Sequence, residues 1–226
     1  MALPCTVLPC TEASDIPGLY GGLQLAVPSH RRELQTAVST VAGLTSALAN
    51  TTVSRIVLAS GTYYLTAQLS ITRSVILEAA AGATVTLNAQ ASSSSPRRVL
   101  YINPGSSGVV QLIRLGITGG YVAGAGNNGG GVGINVGTVT FSSCTITGNI
   151  AQNGDDGGVF INDGTVTLSS CNITRNTAYF WGGGVYVESG TVSFLSCTIT
   201  GNFAGYVRAQ LKTSHRPDGK ILTRLP

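Results

Sequence analysis

The chain has 226 residues, a length that suits one domain with a continuous core, and only 10% of its residues are charged. No apolar run reaches the about 18 residues of a membrane-spanning helix, so no membrane span is expected. The net charge of +4 arises in residues 207–226, which hold five basic residues against Asp218, whereas the rest of the chain has eight bases and eight acids. This balance disfavours nucleic-acid binding by the main body of the chain.

The N-terminal part of the chain divides into two segments. Residues 1–29 are an N-terminal extension that lacks a basic start followed by a sustained apolar stretch, so they make a poor secretory signal. Residues 30–50 are predicted to form a capping helix. The apolar residues that define its buried face are Leu34, Ala37, Val38, Val41, Leu44 and Leu48.

Three stretches between residues 137 and 202 repeat almost the same sequence. Each begins with Gly-Thr-Val, and their cysteines Cys144, Cys171 and Cys197 are 27 and 26 residues apart. Each repeat holds three short runs in which apolar and polar residues alternate, which is the pattern of a strand with one buried face. Gly, Ser-Ser and Gly-Asn or Arg-Asn separate these runs, so the chain turns between them. A fixed period of this length predicts a three-sheet parallel β-helix.

The same spacing continues upstream of the three repeats. Val110, Leu112, Leu115 and Ile117 keep the register, and Leu115 takes the position of the cysteine. Earlier alternating runs begin near Ile56. The sequence therefore predicts an all-β chain with a parallel β-helix of about five coils over residues 51–206. The helix at 30–50 would cover its first coil, and residues 207–226 would form a basic irregular tail.

The repeats resemble the right-handed parallel β-helix repeats of polymorphic outer membrane proteins. The Gly-Gly-Ala-Ile-like element of those proteins corresponds to Gly130-Gly131-Val132, Gly157-Gly158-Val159 and Gly183-Gly184-Val185. Their Phe-x-x-Asn-like element corresponds to Thr-Ile-Thr-Gly-Asn, in which the Phe is absent. The segment 56–63 is similar to the first coil of pectin-lyase-like proteins. The resemblance implies a right-handed parallel β-helix and leaves the function open, because this fold hosts lyases, hydrolases, epimerases and adhesins.

Two sets of residues recur at equivalent positions and are expected to form structural ladders: Cys144, Cys171 and Cys197 inside the coils, and Asn149, Asn176 and Asn202 at a corner. The stacked cysteines would carry parallel Cβ vectors, which suit neither a disulfide nor a tetrahedral metal site. The asparagines can link successive coils through side-chain amide hydrogen bonds.

The acidic residues of the repeats supply the weak catalytic candidates Asp155, Asp156 and Glu188. A pair of carboxylates can act as acid and base on a polysaccharide. Asp155 and Asp156 precede a Gly-Gly pair, however, and a polar turn is the favoured interpretation. The same corner also suits a calcium ion, and no other cofactor or metal is expected. No Ser-His-Asp set, metal-ligand spacing or phosphate loop is visible.

Outward positions supply the candidates for ligand binding. Phe160 and Tyr186 beside Gly133 form a small aromatic strip, which can hold a sugar ring or merely cover the sheet; covering is the favoured interpretation. Asn162 belongs to an outward ladder with Asn135 and Glu188. A third group, the threonine ranks Thr145-x-Thr147, Asn172-x-Thr174 and Thr198-x-Thr200, is a pattern that also suits ice binding.

These patterns lead to a non-catalytic extracellular or surface β-helix protein with a structural, adhesive or glycan-binding role. The alternative is a polysaccharide lyase or hydrolase of the pectin-lyase-like type, and an ice-binding protein is a further alternative. The expected partner is a polysaccharide or a cell-surface glycan, and the sequence leaves the oligomeric state open.

Overall fold

The computed structural model describes residues 34–124, 128–153 and 156–205, together with two short strands at 214–215 and 221–222. Its residues wind into stacked parallel coils. Apolar side chains at alternating strand positions point inward and form one core cluster that runs from Val38 to Phe194. The fully buried members include Leu58, Leu112 and Phe141. The alternation in the sequence therefore defines the inner face of every coil.

The strands follow one another coil by coil. Strand β1 (Leu34–Val38) and helix α1 (Val41–Ala49) come first. The first two coils consist of β2 (Val53–Leu58), β3 (Gly61–Tyr64), β4 (Leu69–Ile71), β5 (Val75–Ala79), β6 (Val85–Asn88) and β7 (Leu100–Ile102). The next two consist of β8 (Val109–Ile113), β9 (Leu115–Thr118), β10 (Tyr121–Ala123), β11 (Val132–Ile134), β12 (Thr138–Ser142), β13 (Thr145–Thr147), β14 (Ile150–Gln152) and β15 (Val159–Ile161). The remaining strands are β16 (Thr165–Ser169), β17 (Asn172–Thr174), β18 (Thr177–Ala178), β19 (Val185–Val187), β20 (Thr191–Leu195), β21 (Thr198–Thr200), β22 (Phe203–Ala204), β23 (Ser214–His215) and β24 (Ile221–Leu222).

The strands of successive coils pair in parallel, which confirms the predicted β-helix of about five coils. Sheet A runs β1-β2-β5-β8-β12-β16-β20-β24-β23, and only its last two strands are antiparallel. Sheet B runs β3-β6-β9-β13-β17-β21, and sheet C runs β4-β7-β11-β15-β19. A fourth sheet, sheet D, runs β10-β14-β18-β22. Among the described residues, no helix has the length and apolar character to cross a membrane.

Sheet D is a departure from the three sheets that the sequence predicts. Its strands are two or three residues long. Ala151 and Ala178 are each the one buried residue of their strand, with 0% exposure, whereas β10 buries Val122 and β22 buries neither of its residues. A single buried alanine gives no visible alternation, so the sequence pattern contains too little signal for this strand.

The predicted helix over residues 30–50 is wrong in its first half. Leu34–Val38 form strand β1, which pairs in parallel with β2, and the helix spans only Val41–Ala49. Thr40 caps the helix, because its hydroxyl accepts a hydrogen bond from the Gly43 amide at 3.1 Å. The apolar residues of 34–38 fit a strand as well as a helix, and pairing with an adjacent strand decides between them. Residues 30–33 lie outside the described residues.

The predicted irregular tail also differs in part. Strand β24 pairs with β20 in antiparallel orientation, and β23 pairs with β24. The other tail residues lie outside the described part of the chain. The basic composition of the tail does not indicate that two of its segments extend sheet A as antiparallel strands.

Close approach between coils explains the paired glycines. A Cβ on Gly158 would collide with the carbonyl oxygen of Gly184 in the next coil. A Cβ on Gly184 would lie 2.8 Å from the side-chain nitrogen of Asn202. These glycines therefore let the backbones of adjacent coils meet just before sheet C begins.

Candidate ligand-binding face

The outer face of sheet C carries a column of residues aligned by strand pairing. Ser70 pairs with Tyr101, Tyr101 with Gly133, Gly133 with Phe160, and Phe160 with Tyr186. On each of these strands except β11, the central residue is more exposed than its two neighbours, so its side chain points outward. The column therefore places three aromatic rings on one face, with a glycine between the first and the second.

The aromatic rings at the end of this column are stacked. The rings of Phe160 and Tyr186 have centroids 5.9 Å apart and planes inclined by 8°. Trp181, in the loop before β19, stacks on Tyr186 at 6.0 Å with planes inclined by 23°. Parallel planes at this distance make a continuous aromatic surface, since each ring belongs to a neighbouring part of the solenoid.

Arg98 occupies the gap in the column above Gly133. A Cβ on Gly133 would lie 3.4 Å from Cζ, Nε and Nη1 of Arg98, so the guanidinium covers this glycine. The guanidinium also lies 5.6 Å from the ring centroid of Tyr101, within reach of a cation–π interaction. Its Nε is buried and has no hydrogen-bond partner in the described part of the chain. Burial lowers the pKa of the Arg98 guanidinium below its ordinary value.

Polar side chains follow the aromatic column along one side, at the position after each strand of sheet C. The Asn135 amide donates to the Asn103 side-chain oxygen at 3.2 Å. Asn162 donates in turn to the side-chain oxygen of Asn135 at 3.4 Å. Glu188 continues this series, because its backbone amide bonds to Ile161 as that of Asn162 bonds to Ile134, and its side chain is exposed. The amide ladder thus ends at the exposed carboxylate of Glu188.

A depression of about 360 Å³ lies between the aromatic column and the asparagine ladder. Its lining combines one guanidinium, two aromatic rings and several side-chain amides, in the residues Gln68, Arg98, Tyr101, Asn128, Gly133, Ile134, Asn135, Phe160 and Asn162. Such a mixture offers flat apolar surface for a ring and polar groups for its substituents. The sequence-predicted residues Phe160 and Asn162 both line it, and Tyr186 lies beside Phe160.

Asp156, by contrast, is buried beneath this face. Its exposure is 0%, and its two carboxylate oxygens accept hydrogen bonds from the amides of Gly158 at 3.0 Å and Tyr186 at 3.1 Å. Its backbone bonds to Gly129 and Trp181 of the neighbouring coils. Asp156 therefore joins three coils, and this geometry does not support contact with a substrate. Asp155 lies outside the described residues, and the calcium interpretation stays a prediction for this corner.

No metal cluster accompanies these carboxylates in the described ranges. No three His, Cys, Asp or Glu side chains approach one another closely enough there to hold an ion. Glu188 stands at the end of the asparagine ladder, and both oxygens of Asp156 accept backbone amides. Of the two acidic candidates that the structure describes, Asp156 is buried and bonded to backbone amides, and Glu188 is exposed.

The cysteine column lies in the core between sheets A and B. Cys144 and Cys171 are buried and Cys197 is half-buried; all three are free thiols. Each donates to a carbonyl, as Cys144 does to Leu112 at 3.3 Å. The hydrogen bond between the Cys144 and Cys171 thiols raises the pKa of Cys144 and lowers the pKa of Cys171 to about 7. Burial raises the pKa of Cys197.

The corner asparagines form a continuous buried ladder. The Asn176 side-chain oxygen accepts from both the backbone and side-chain amides of Asn149, each at 3.0 Å. Asn202 accepts the same pair of bonds from Asn176. Each side-chain nitrogen also donates to a core-strand carbonyl, as Asn176 does to Ile146 at 2.9 Å. The ladder satisfies backbone groups that the turn leaves without sheet partners.

The threonine ranks lie on the outer face of sheet B. Thr145, Asn172 and Thr198 form one column, and Thr147, Thr174 and Thr200 form the next. Thr174 and Thr147 are linked through their hydroxyls at 3.3 Å. This face is separate from the depression on sheet C.

The sequence patterns missed Arg98, Tyr101 and Gln68 as members of the site. The sequence could have identified Tyr101, because Leu100-Tyr101-Ile102 has the same alternation as Val159-Phe160-Ile161. Arg98 lies in the loop between β6 and β7 and has no equivalent in the repeats. The repeat pattern does not indicate Arg98, because its role depends on contact with Gly133, which is 35 residues further along the chain.

Comparisons with known proteins support the fold and do not indicate a function. The family described as the right handed beta helix region matches residues 99–214, just over half of the chain. Neither the curated proteins nor the solved structures include a match to this chain. The matched range contains the repeats and most of the candidate face. The chain therefore belongs to the right-handed β-helix region family.

Proposed function

We propose that this protein is a non-catalytic glycan-binding β-helix protein that acts in the extracellular space or at the cell surface. The observation that carries the proposal is the parallel stack of Phe160 and Tyr186, 5.9 Å apart, on the outer face of sheet C. Tyr101 extends this aromatic column on the other side of Arg98. The column faces outward and lies beside a ladder of side-chain amides.

The chemistry of this face suits a sugar polymer. Aromatic rings offer flat apolar surface on which the C–H face of a pyranose can pack, and side-chain amides can bond its hydroxyls. Successive coils repeat at about 4.8 Å along the solenoid axis. This repeat is close to the length of one sugar residue in an extended polysaccharide. A glycan that lies along the column would therefore meet an equivalent position on each coil.

Among the described residues, no carboxylate lines the depression. Glu188 is exposed at the end of the asparagine ladder and Asp163 is exposed beside Asn162, whereas Asp156 is closed to solvent and bonded to backbone amides. Cleavage by paired carboxylates needs two acids facing one substrate. The described lining of the depression does not supply that pair, so binding is the activity that this geometry supports.

The test is binding to an array of immobilised glycans, followed by calorimetry with the best soluble oligosaccharide. We expect Phe160→Ala and Tyr186→Ala each to weaken binding about tenfold or more, the loss of about 1.4 kcal/mol expected for a stacking contact. Tyr64→Ala is the matched control, because Tyr64 is 55% exposed on sheet B, away from the column.

Three results would overturn this proposal. One is the absence of binding to any glycan, and a second is equal loss of binding in Tyr64→Ala. The third is cleavage of the oligosaccharide, because a non-catalytic protein should leave it intact after incubation. Cleavage that is abolished by Glu188→Gln would instead establish the lyase or hydrolase alternative.

A further inference from the structure

We propose that the depression on sheet C selects glycans that carry an oxyanion, either a carboxylate or a sulfate ester, and that Arg98 is the residue that recognises it. This inference rests on the proposed glycan binding and adds the charge class of the ligand. It depends on three observations: the unpaired state of Arg98, the charges of the residues around it, and its position among the stacking residues.

Among the described residues, Arg98 has no anionic or carbonyl partner, unlike the other partly buried arginines. Arg55 bonds to Glu78 at 2.7 Å. Arg73 bonds to the carbonyls of Ala47, Leu48 and Val53. Arg98 is half-buried. Within the described ranges its guanidinium contacts the Tyr101 ring, and its buried Nε has no hydrogen-bond acceptor. Desolvating a charge without a partner is costly, so such a group is expected to gain an acceptor when the site is filled.

The lining of the depression leaves this positive charge uncompensated. Apart from Arg98, the lining residues are uncharged, and the amides of Gln68, Asn135 and Asn162 are among them. An oxyanion is the group that best satisfies a guanidinium, because two of its oxygens match the parallel N–H donors. The nearby amides can donate to the remaining oxygen atoms.

The position of Arg98 explains why the oxyanion would belong to a sugar and not to a free ion. The guanidinium lies over Gly133, in the same column as Tyr101 on one side and Phe160 on the other. A pyranose stacked on either ring would bring its ring substituents toward Arg98. Recognition therefore combines stacking of the sugar ring with pairing of its charged substituent.

The experiment compares three tetrasaccharides of one backbone by calorimetry: glucose, glucuronic acid and sulfated glucose, with inorganic sulfate as the ion alone. We expect the wild type to bind at least one charged form at least tenfold more tightly than the neutral form. The uronic acid and sulfate arms then show which oxyanion is preferred. Arg98→Gln should remove the preference and retain the neutral affinity, whereas Arg98→Lys should retain part of the preference.

Arg175→Gln is the control, because it removes the same charge from an exposed corner outside the depression. Equal affinity for neutral and charged tetrasaccharides would overturn the inference and leave the glycan-binding proposal standing. A preference that survives in Arg98→Gln, with its melting temperature unchanged, would also overturn it. Binding of no tetrasaccharide, together with no binding to the glycan array, would overturn both proposals, even if inorganic sulfate bound.

Discussion

The guanidinium of Arg98 covers Gly133, a glycine at the centre of an otherwise side-chain-bearing column on sheet C. Gly133 is buried although its position faces outward, and a Cβ there would lie 3.4 Å from three atoms of the guanidinium. The glycine thus creates the space in which the arginine lies. This pair divides the face into an aromatic part and a cationic part, and both parts enter the proposed recognition of a glycan.

The space above Gly133 can be tested by filling it. Gly133→Ile places a β-branched side chain where the guanidinium lies, so Arg98 must move away from the depression. We expect at least a tenfold loss of affinity for the charged oligosaccharide, measured by calorimetry, and a smaller loss for the neutral one. Thr140→Ile on the outer face of sheet A is the control and should leave both affinities unchanged. An unchanged preference in Gly133→Ile would contradict the assigned position of Arg98.

Asp156 is expected to support the coils and not to react. In Asp156→Ala the buried amides of Gly158 and Tyr186 lose their acceptors. Each unsatisfied buried amide costs about 1–3 kcal/mol, so the free energy of unfolding should fall by about 2–6 kcal/mol. Urea unfolding measures this change. Asp163→Ala should cost at most about 1 kcal/mol, because the bond of Asp163 to Gly164 is exposed. Equal costs for the two variants would show that the carboxylate of Asp156 is not a structural element.

Asn176 should be the most sensitive position of the corner ladder, because it has asparagine partners on both sides. Asn176→Ala removes the acceptor of two Asn149 amide groups and the donor to Ile146. We expect a loss of about 3 kcal/mol in the free energy of unfolding, since the groups left behind are buried. Asn172→Ala changes an exposed outward residue and should stay within about 0.5 kcal/mol. Similar unfolding curves for Asn176→Ala and Asn172→Ala would show that the ladder does not stabilise the fold.

The cysteines should label in an order set by burial. Native Cys144 and Cys171 should react slowly with a thiol reagent, Cys197 faster, and all three rapidly in denaturant. The hydrogen bond with the Cys144 thiol lowers the pKa of Cys171, so slow labelling of Cys171 would reflect exclusion of the reagent and not a raised pKa. Mass spectrometry of peptides from labelled protein distinguishes the sites. Rapid native labelling at Cys171 would place the thiol outside the core.

Much of the fold was predictable because the strand period repeats from coil to coil. The runs around Val132, Val159 and Val185 coincide with three consecutive strands of sheet C. The helix boundary was not predictable in the same way, because Leu34, Ala37 and Val38 fit a helical face and residues 34–38 do not alternate between apolar and polar. Their pairing with β2 is a non-local interaction, and local sequence carries no direct record of it.

The candidate site was predictable only where it uses the repeat. Phe160, Tyr186 and Asn162 occupy repeated positions, so alignment of the coils places them on one outer face. Arg98 lies two residues before β7, where the later coils have a glycine, and Asp156 has a left-handed backbone with φ of 65° inside a corner. Their roles arise from contacts between coils, which no spacing within one repeat can show.

Trp181 offers the most direct test of the central claim that the aromatic column of sheet C binds a glycan. It is the single tryptophan of the chain and stacks on Tyr186 at 6.0 Å. Titration with the array-selected oligosaccharide should produce a saturable change in its fluorescence, with the same Kd as calorimetry. The change should be lost at the same concentrations in Phe160→Ala and retained in Tyr64→Ala. Saturating oligosaccharide that leaves the Trp181 emission unchanged, or an equal response in Phe160→Ala, would contradict the account.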